Sequence, residues 1–285
     1  MTGVAFGVFV VPDASGREAV VGQVERADRA GLDLVGIQDH PYQRRFLETF
    51  SLLAFLAART SRIRLFPDVA NLPLRRPAVL AKAAATIDLL SGGRFELGLG
   101  AGAFWEAIGA LGGPVRSPGE SVEALEEAIA VIRAMWSGER SVSLDGRFYS
   151  LAGANTGPAP AHDIGIWLGA YGPRMVRLTG RLADGWIPSL PRMPLADVPA
   201  RQEAIDEAAR RAGRDPAQVR RVANVSPGNG FLDGPVEEQV EQLVGLVREL
   251  RFEAFVFPLG EDPARDIERL AGEVAPGVRS ALGQS

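Results

Sequence analysis

Cysteine is absent from all 285 residues, there is one lysine (Lys82), and there are two histidines, His40 and His162. Without cysteine there is no disulfide, no thiolate nucleophile and no Cys-ligated metal, and the expected compartment is the cytoplasm. Two histidines are too few for a three-histidine zinc site, and a single lysine removes most lysine chemistry. No apolar run reaches the roughly 18 residues of a membrane span, and the N-terminus lacks a basic start, apolar stretch and cleavage site. Lys and Arg number 31 against 35 Asp and Glu, a net charge of −4. Nothing in that balance draws the chain to nucleic acid or anionic lipid. A small-molecule substrate is expected, with no resident metal.

What is present is punctuation. There are 33 glycines and 20 prolines, too many for a helical bundle and too few for a disordered chain. Between them, short β-branched runs alternate with helical ones. The pattern predicts strands at 4–11, 34–39, 63–70, 95–100, 164–169, 185–188, 219–225 and 254–257. Helices are expected at 17–30, 48–60, 77–90, from Ser117-Pro118 to Gly138, 173–183, 197–212, 236–250 and 263–274. The pair Asp145-Gly146 between VSL and FYSL signals a two-residue hairpin turn. Eight βα units in this length favour a closed barrel over an open doubly wound sheet. The expected fold is α/β, a single (β/α)8 TIM barrel over residues 1–285 with a small β-hairpin insertion.

In such a barrel the chemistry belongs at the carboxyl ends of the strands, where the polar and glycine-rich clusters fall. Asp39-His40 comes after the second strand. A carboxylate beside an imidazole can hold a tautomer or relay a proton near neutral pH; the bland alternative is an Asp helix cap beside a surface histidine. In an extended strand the two side chains would face opposite sides unless the chain turns. GLGAGA at 98–103 satisfies G-x-G-x-x-A, but the fingerprint must open a helix, and Gly109, Gly112, Gly113 and Pro114 interrupt one. Three βα units also precede it, so the dinucleotide context fails. The glycines permit close approach to a planar or phosphorylated ligand, or make a plain turn. Gly169 to Arg174 joins a strand to a helix N-terminus and suits a phosphate, or is an ordinary βα turn. Trp105, Trp167 and Trp186 are core packing or pocket wall.

Taken together, GIQDHP, NLPLRRPAVLAKAAATIDLLSGGRFELGLGAG and GPRMVRLTGRLADGWIPS resemble the bacterial luciferase-like oxidoreductases, most densely from Val4 to Ser189. The resemblance implies a (β/α)8 barrel that binds reduced FMN or coenzyme F420, a deazaflavin, at its carboxyl-end mouth. The Asp39-His40 pair is similar to the F420-dependent branch. It implies Asp39 against the deazaflavin and His40 as acid/base near the hydride-transfer position. Asp68-Val69 corresponds to a non-prolyl cis peptide behind the ring. Ala101 and Gly102 correspond to backbone donors, and Gly169, Ala170, Tyr171 and Gly172 to the phosphate-binding turn. Ala103 stands where the sugar-phosphate enzymes of that branch have glutamate, so a more hydrophobic substrate is expected near Phe104, Trp105 and Phe231. F420-dependent hydride transfer is the leading reading. Its alternatives are an FMNH2- and oxygen-dependent monooxygenase whose flavin a separate reductase supplies, and a flavin-binding barrel without catalysis; a separate flavin or F420 reductase is the expected protein partner. Relatives suggest a homodimer by analogy.

Overall fold

A computed structural model describes residues 3–228 and 230–284. The barrel strands are β1 (Ala5–Val10), β2 (Leu34–Ile37), β3 (Arg64–Pro67), β4 (Ala70–Asn71), β5 (Leu97–Gly100), β8 (Ile166–Leu168), β9 (Gly185–Trp186), β10 (Arg220–Asn224) and β11 (Ala254–Pro258), with β6 (Ser141–Leu144) and β7 (Leu151–Asn155) outside them. All barrel pairings are parallel, in the order β3-β2-β1-β11-β10-β9-β8-β5-β4. β3 and β4 are two halves of one barrel strand, divided at a cis peptide between Asp68 and Val69. β4 pairs with the end of β5, and Leu65 of β3 bridges Phe95 just before β5. The ring therefore closes on itself as eight staves.

Helices α1 (Arg17–Ala30), α2 (Thr49–Arg59), α3 (Pro77–Ser91), α5 (Pro118–Trp136), α6 (Pro173–Leu182), α7 (Val198–Arg211) and α8 (Val236–Leu250) cover the outside. A short α4 (Trp105–Ala110) comes after β5, in the segment whose glycines predict no helix. The last helical stretch runs beyond its expected end: α9 (Pro263–Arg269) passes through a π-helical turn at Leu270–Val274 into α10 (Ala275–Ala281). Among the described residues no helix is long and apolar enough to cross a membrane.

Period-two alternation sorts the strand residues. Phe6 and Val8 of β1 and Phe255 of β11 face the helices, while Ala5, Leu34, Phe66, Trp167, Val222, Ala254 and Val256 fill the barrel. Trp167 is the plug, 1% exposed and 5.2 Å from the ring of Phe66. It fits because Gly185 lies beside it; a Cβ there would sit 2.5 Å from Trp167 Cδ1. Trp186 instead faces outward, stacked on Phe252, and donates from Nε1 to the carbonyl of Ala170.

The hairpin insertion exists, but its turn is not the two-residue Asp145-Gly146 turn. β6 and β7 pair Leu144 with Leu151, leaving six residues between them. Glu127 on α5 is the reason: its carboxylate accepts the backbone N–H groups of Arg147, Phe148 and Tyr149. Those donors are thereby lost to the ladder.

Candidate active site

The carboxyl ends of the strands open onto a cavity of about 910 Å³. Phe9, Asp68, Asn224 and Val256 continue the inward-facing rows of β1, β3, β10 and β11 into its floor. The segments after β2, β5, β8 and β9 supply the walls, and the N-terminal turn of α5 closes one side.

β2 ends at Ile37, so the chain turns before Asp39 and both members of the Asp-His pair reach the cavity wall. Their environments differ. The side chain of Asp39 is fully buried, and its two oxygens are taken. Arg75 donates from Nη2 to Oδ1 at 2.7 Å and from Nε to Oδ2 at 2.8 Å, and the N–H of Asn71 reaches Oδ2 at 2.8 Å. Arg75 lies over the ring of Phe50 at 4.3 Å and also donates to Glu48, the N-cap of α2. Burial works against the Glu48 charge, but the backbone N–H and hydroxyl of Ser51, together with Arg75, hold it down to about 2.

His40 pairs through Nδ1 with the hydroxyl of Tyr42, and Nε2 has no partner among the described residues. Burial lowers its pKa, Asp39 opposes that shift, and Arg192 on the rim adds to it. The imidazole is therefore neutral at neutral pH. Burial, reinforced by the charge of Asp39, pushes the Tyr42 phenol up to about 12.

Across the floor, the Asn224 amide donates from Nδ2 to Asp68 Oδ1 at 3.0 Å. Asp68 Oδ2, Asn71 Oδ1 and Asn224 Oδ1 are buried without partners. Burial raises the Asp68 carboxyl to about 7 against the Asn224 hydrogen bond. The Val69 side chain packs on the glycines of the neighbouring staves. A Cβ on Gly100 would lie 2.9 Å from Val69 Cγ2, and one on Gly98 would lie 2.1 Å from the carbonyl oxygen of Pro67. Glycines at these positions leave room for the bulge between β3 and β4.

Ala101 and Gly102 border the cavity, with Gly102 at φ +106. Gly169, Tyr171 and Gly172 border it too, and the N–H of Ser189 donates to the Tyr171 hydroxyl. Ala170 is buried behind them, its carbonyl held by Trp186. Gly172 caps α6 without a side-chain hydrogen bond, and Arg174 of its first turn pairs with Glu123. Phe104 stands at the mouth, edge-on to His40, whereas Trp105 and Phe231 are not part of the wall.

Tyr42, Arg75, Arg192 and Asn224 belong to the site although no motif in the sequence singles them out. Tyr42 has a local signal, lying two residues after His40. Arg75 has none as an Asp39 partner 36 positions away. The long GGRF signature is scaffold: Arg94 donates to the carbonyls of Ala57, Thr60, Ile63 and Ser91 at the opposite end of the barrel.

Residues 4–251 match the family described as luciferase-like monooxygenase. The phthiodiolone/phenolphthiodiolone dimycocerosates ketoreductase of Mycobacterium tuberculosis is 36% identical over 243 residues, 84% of this chain and 61% of the relative. A 5,10-methylenetetrahydromethanopterin reductase of Archaeoglobus fulgidus is 35% identical over 213 residues, 73% of this chain and 59% of that protein. The chain thus spans about three fifths of the length of these relatives. An F420-dependent secondary alcohol dehydrogenase, solved with an F420-acetone adduct, shares the fold with TM-score 0.83 and 18% identity, over 97% of this chain and 99% of that one. By the span of the family match and these identities, the chain belongs to the luciferase-like monooxygenase family of oxidoreductases.

Proposed function

We propose that the protein moves hydride between coenzyme F420 and a small organic substrate, with His40 as the acid/base. The observation that carries this reading is a neutral imidazole with a free Nε2 on the wall of a large cavity whose floor holds acceptors lacking donors. A flavin-type ring has an N–H between two carbonyls on its pyrimidine edge. That N–H could reach one of the three bare acceptors, Asp68 Oδ2, Asn71 Oδ1 and Asn224 Oδ1, and a buried acceptor left unmatched costs about 1–3 kcal/mol. Val69, Ile187 and Val256 offer apolar surface suited to a flat ring. The N-terminus of α6 with Arg174 suits a phosphate. The residues present therefore fit the group.

Asp39, Asp68, Val69, Ala101, Gly102, Gly169, Ala170, Tyr171 and Gly172 would hold the cofactor. Their parts are unequal. Val69 is suited to back the ring, Ala170 supports the turn from behind, and Asp39 acts through Asn71 and Arg75. The bound cofactor supplies the two-electron carbon that protein side chains lack. The chain's own work is to orient the reactants, exclude water and move one proton at His40 Nε2. Phe104 and Tyr42 beside His40 favour an apolar substituent on the substrate. A separate reductase or dehydrogenase recycles the carrier.

Offering reduced F420 anaerobically with a panel of ketones and aldehydes tests this reading. Recovery of oxidised-F420 fluorescence with wild type, and its loss in His40→Ala, is expected. Oxygen consumption with reduced FMN and no reaction of reduced F420 would support the monooxygenase reading instead.

A further inference from the structure

The two nitrogens of His40 have different surroundings. Nδ1 meets the hydroxyl of Tyr42, while Nε2 has no partner among the described residues. The two rings lie 5.3 Å apart at 45°, and Phe104 stands 5.6 Å from the imidazole at 87° and 5.9 Å from the phenol. All three side chains border the cavity. Three mutually packed rings fix the direction in which the imidazole faces.

The hydrogen-bond inventory then favours one tautomer. No carbonyl or carboxylate among the described residues accepts from the Tyr42 hydroxyl, so Nδ1 is the one protein acceptor for that hydrogen among the described residues. The phenol, raised to about 12, retains its proton throughout the physiological range. The charged groups around the imidazole are Asp39, itself paired with Arg75, and Arg192, which opposes protonation. A neutral imidazole has one N–H, and with Nδ1 accepting, the hydrogen is on Nε2.

We propose that Tyr42 is a positioning residue that holds His40 as the Nε2–H tautomer, so that the site presents a donor to the carbonyl oxygen of a ketone or aldehyde. The tautomer stands on this chain's hydrogen bonds alone; its part in proton transfer rests on the hydride-transfer reading. The bound reduced cofactor would supply the hydride for the new C–H bond at the carbonyl carbon, the π electrons moving to oxygen. The Nε2–H bond breaks, and its proton forms the O–H of the alcohol. Nδ1 takes the phenolic proton of Tyr42 while the phenol takes one from solvent, so imidazole and phenol both end neutral. Tyr42 is half-buried, so solvent can supply that proton.

With two histidines in the chain, the ring nitrogens can be read directly by 15N-resolved NMR of the protein without cofactor. His162 is the internal control, its Nδ1 lying 2.8 Å from Asp88 Oδ1. Wild type at neutral pH is expected to show His40 protonated at Nε2 and bare at Nδ1. Tyr42→Phe should mix the tautomers while the His162 signals stay fixed, which also reports an intact fold. In turnover the same variant should lower kcat for carbonyl reduction by on the order of 100-fold with little change in KM. A His40 proton on Nδ1 in wild type, or nitrogen signals unmoved by Tyr42→Phe, would overturn the proposal. The NMR arm contains no cofactor, so failure to bind F420 would sink the functional reading and leave the tautomer result standing.

Discussion

Asp39 and Arg75 meet in a two-point fork, Nη2 to Oδ1 at 2.7 Å and Nε to Oδ2 at 2.8 Å, with the carboxylate side chain wholly buried and the guanidinium 15% exposed. The fork ties together the end of β2, the N–H of Asn71 at the end of β4 and the cap of α2. Asp39 is thus a brace beside His40 whose charge is already answered. Arg75→Met leaves a buried carboxylate without its partner and is expected to cost about 3–5 kcal/mol in denaturant unfolding. Arg75→Lys keeps the charge but loses the planar fork, and should recover only part of that loss.

The glycines around Val69 make a second, steric prediction. Gly98→Ala places a methyl 2.1 Å from the backbone oxygen of Pro67, which cannot yield cheaply. A loss of about 1–3 kcal/mol is expected, with weakened cofactor binding as the bulge shifts. Gly172→Ala is the control, since a Cβ there meets nothing within 4 Å; its stability should change by about 0.5 kcal/mol or less. Equal effects from the two substitutions would contradict the close-packed floor.

Asp68 predicts a pH dependence of stability. Its folded pKa, raised to about 7 by burial, lies above the value near 3.9 expected of an unfolded aspartate. Between those values the folded state holds the proton that the unfolded state has released, so stability falls as pH rises through that window. Asp68→Asn removes this slope. Melting temperatures of wild type and variant, compared from pH 4 to 8, should move in the variant's favour up to pH 7 and then run parallel.

His162, at the opposite end of the barrel, tests the same linkage with a base. Its hydrogen bond with Glu96, reinforced by Asp88 against the effect of burial, raises its pKa. The charged form is favoured by folding, so its contribution is complete below the unfolded value near 6.5 and is lost as pH rises through the folded one. The Tm advantage of wild type over His162→Gln should therefore shrink on going from pH 6 to pH 9. A constant difference would assign His162 a packing role only.

The barrel itself is legible in the sequence because its signals are local. Each βα unit has its own apolar run, and proline starts (Pro77, Pro118, Pro173) or glycine stops (Gly31, Gly92) mark several of the helices; Arg17–Ala30 and Val236–Leu250 begin and end where periodicity puts them. The hairpin turn is not legible, because Glu127, about 20 residues earlier, competes for its N–H groups. The same distance problem hides the site's wiring. Asp39 and His40 stand out as a polar pair after a strand, but nothing near them announces Arg75, or that Asn224 reaches Asp68 from the opposite side of the ring. Residues such as Arg94 and Asp184 give the sequence its recognisable signatures, yet their hydrogen bonds serve the scaffold. Motif strength reports ancestry, and the geometry separates bracing from chemistry.

Whether this cavity takes the deazaflavin is decided by equilibrium titration of the protein with F420 and with FMN, each followed by fluorescence. Saturable quenching by F420 is expected, weakened in Gly98→Ala and retained in His40→Ala. Tight binding of FMN with no response to F420 would contradict the assignment.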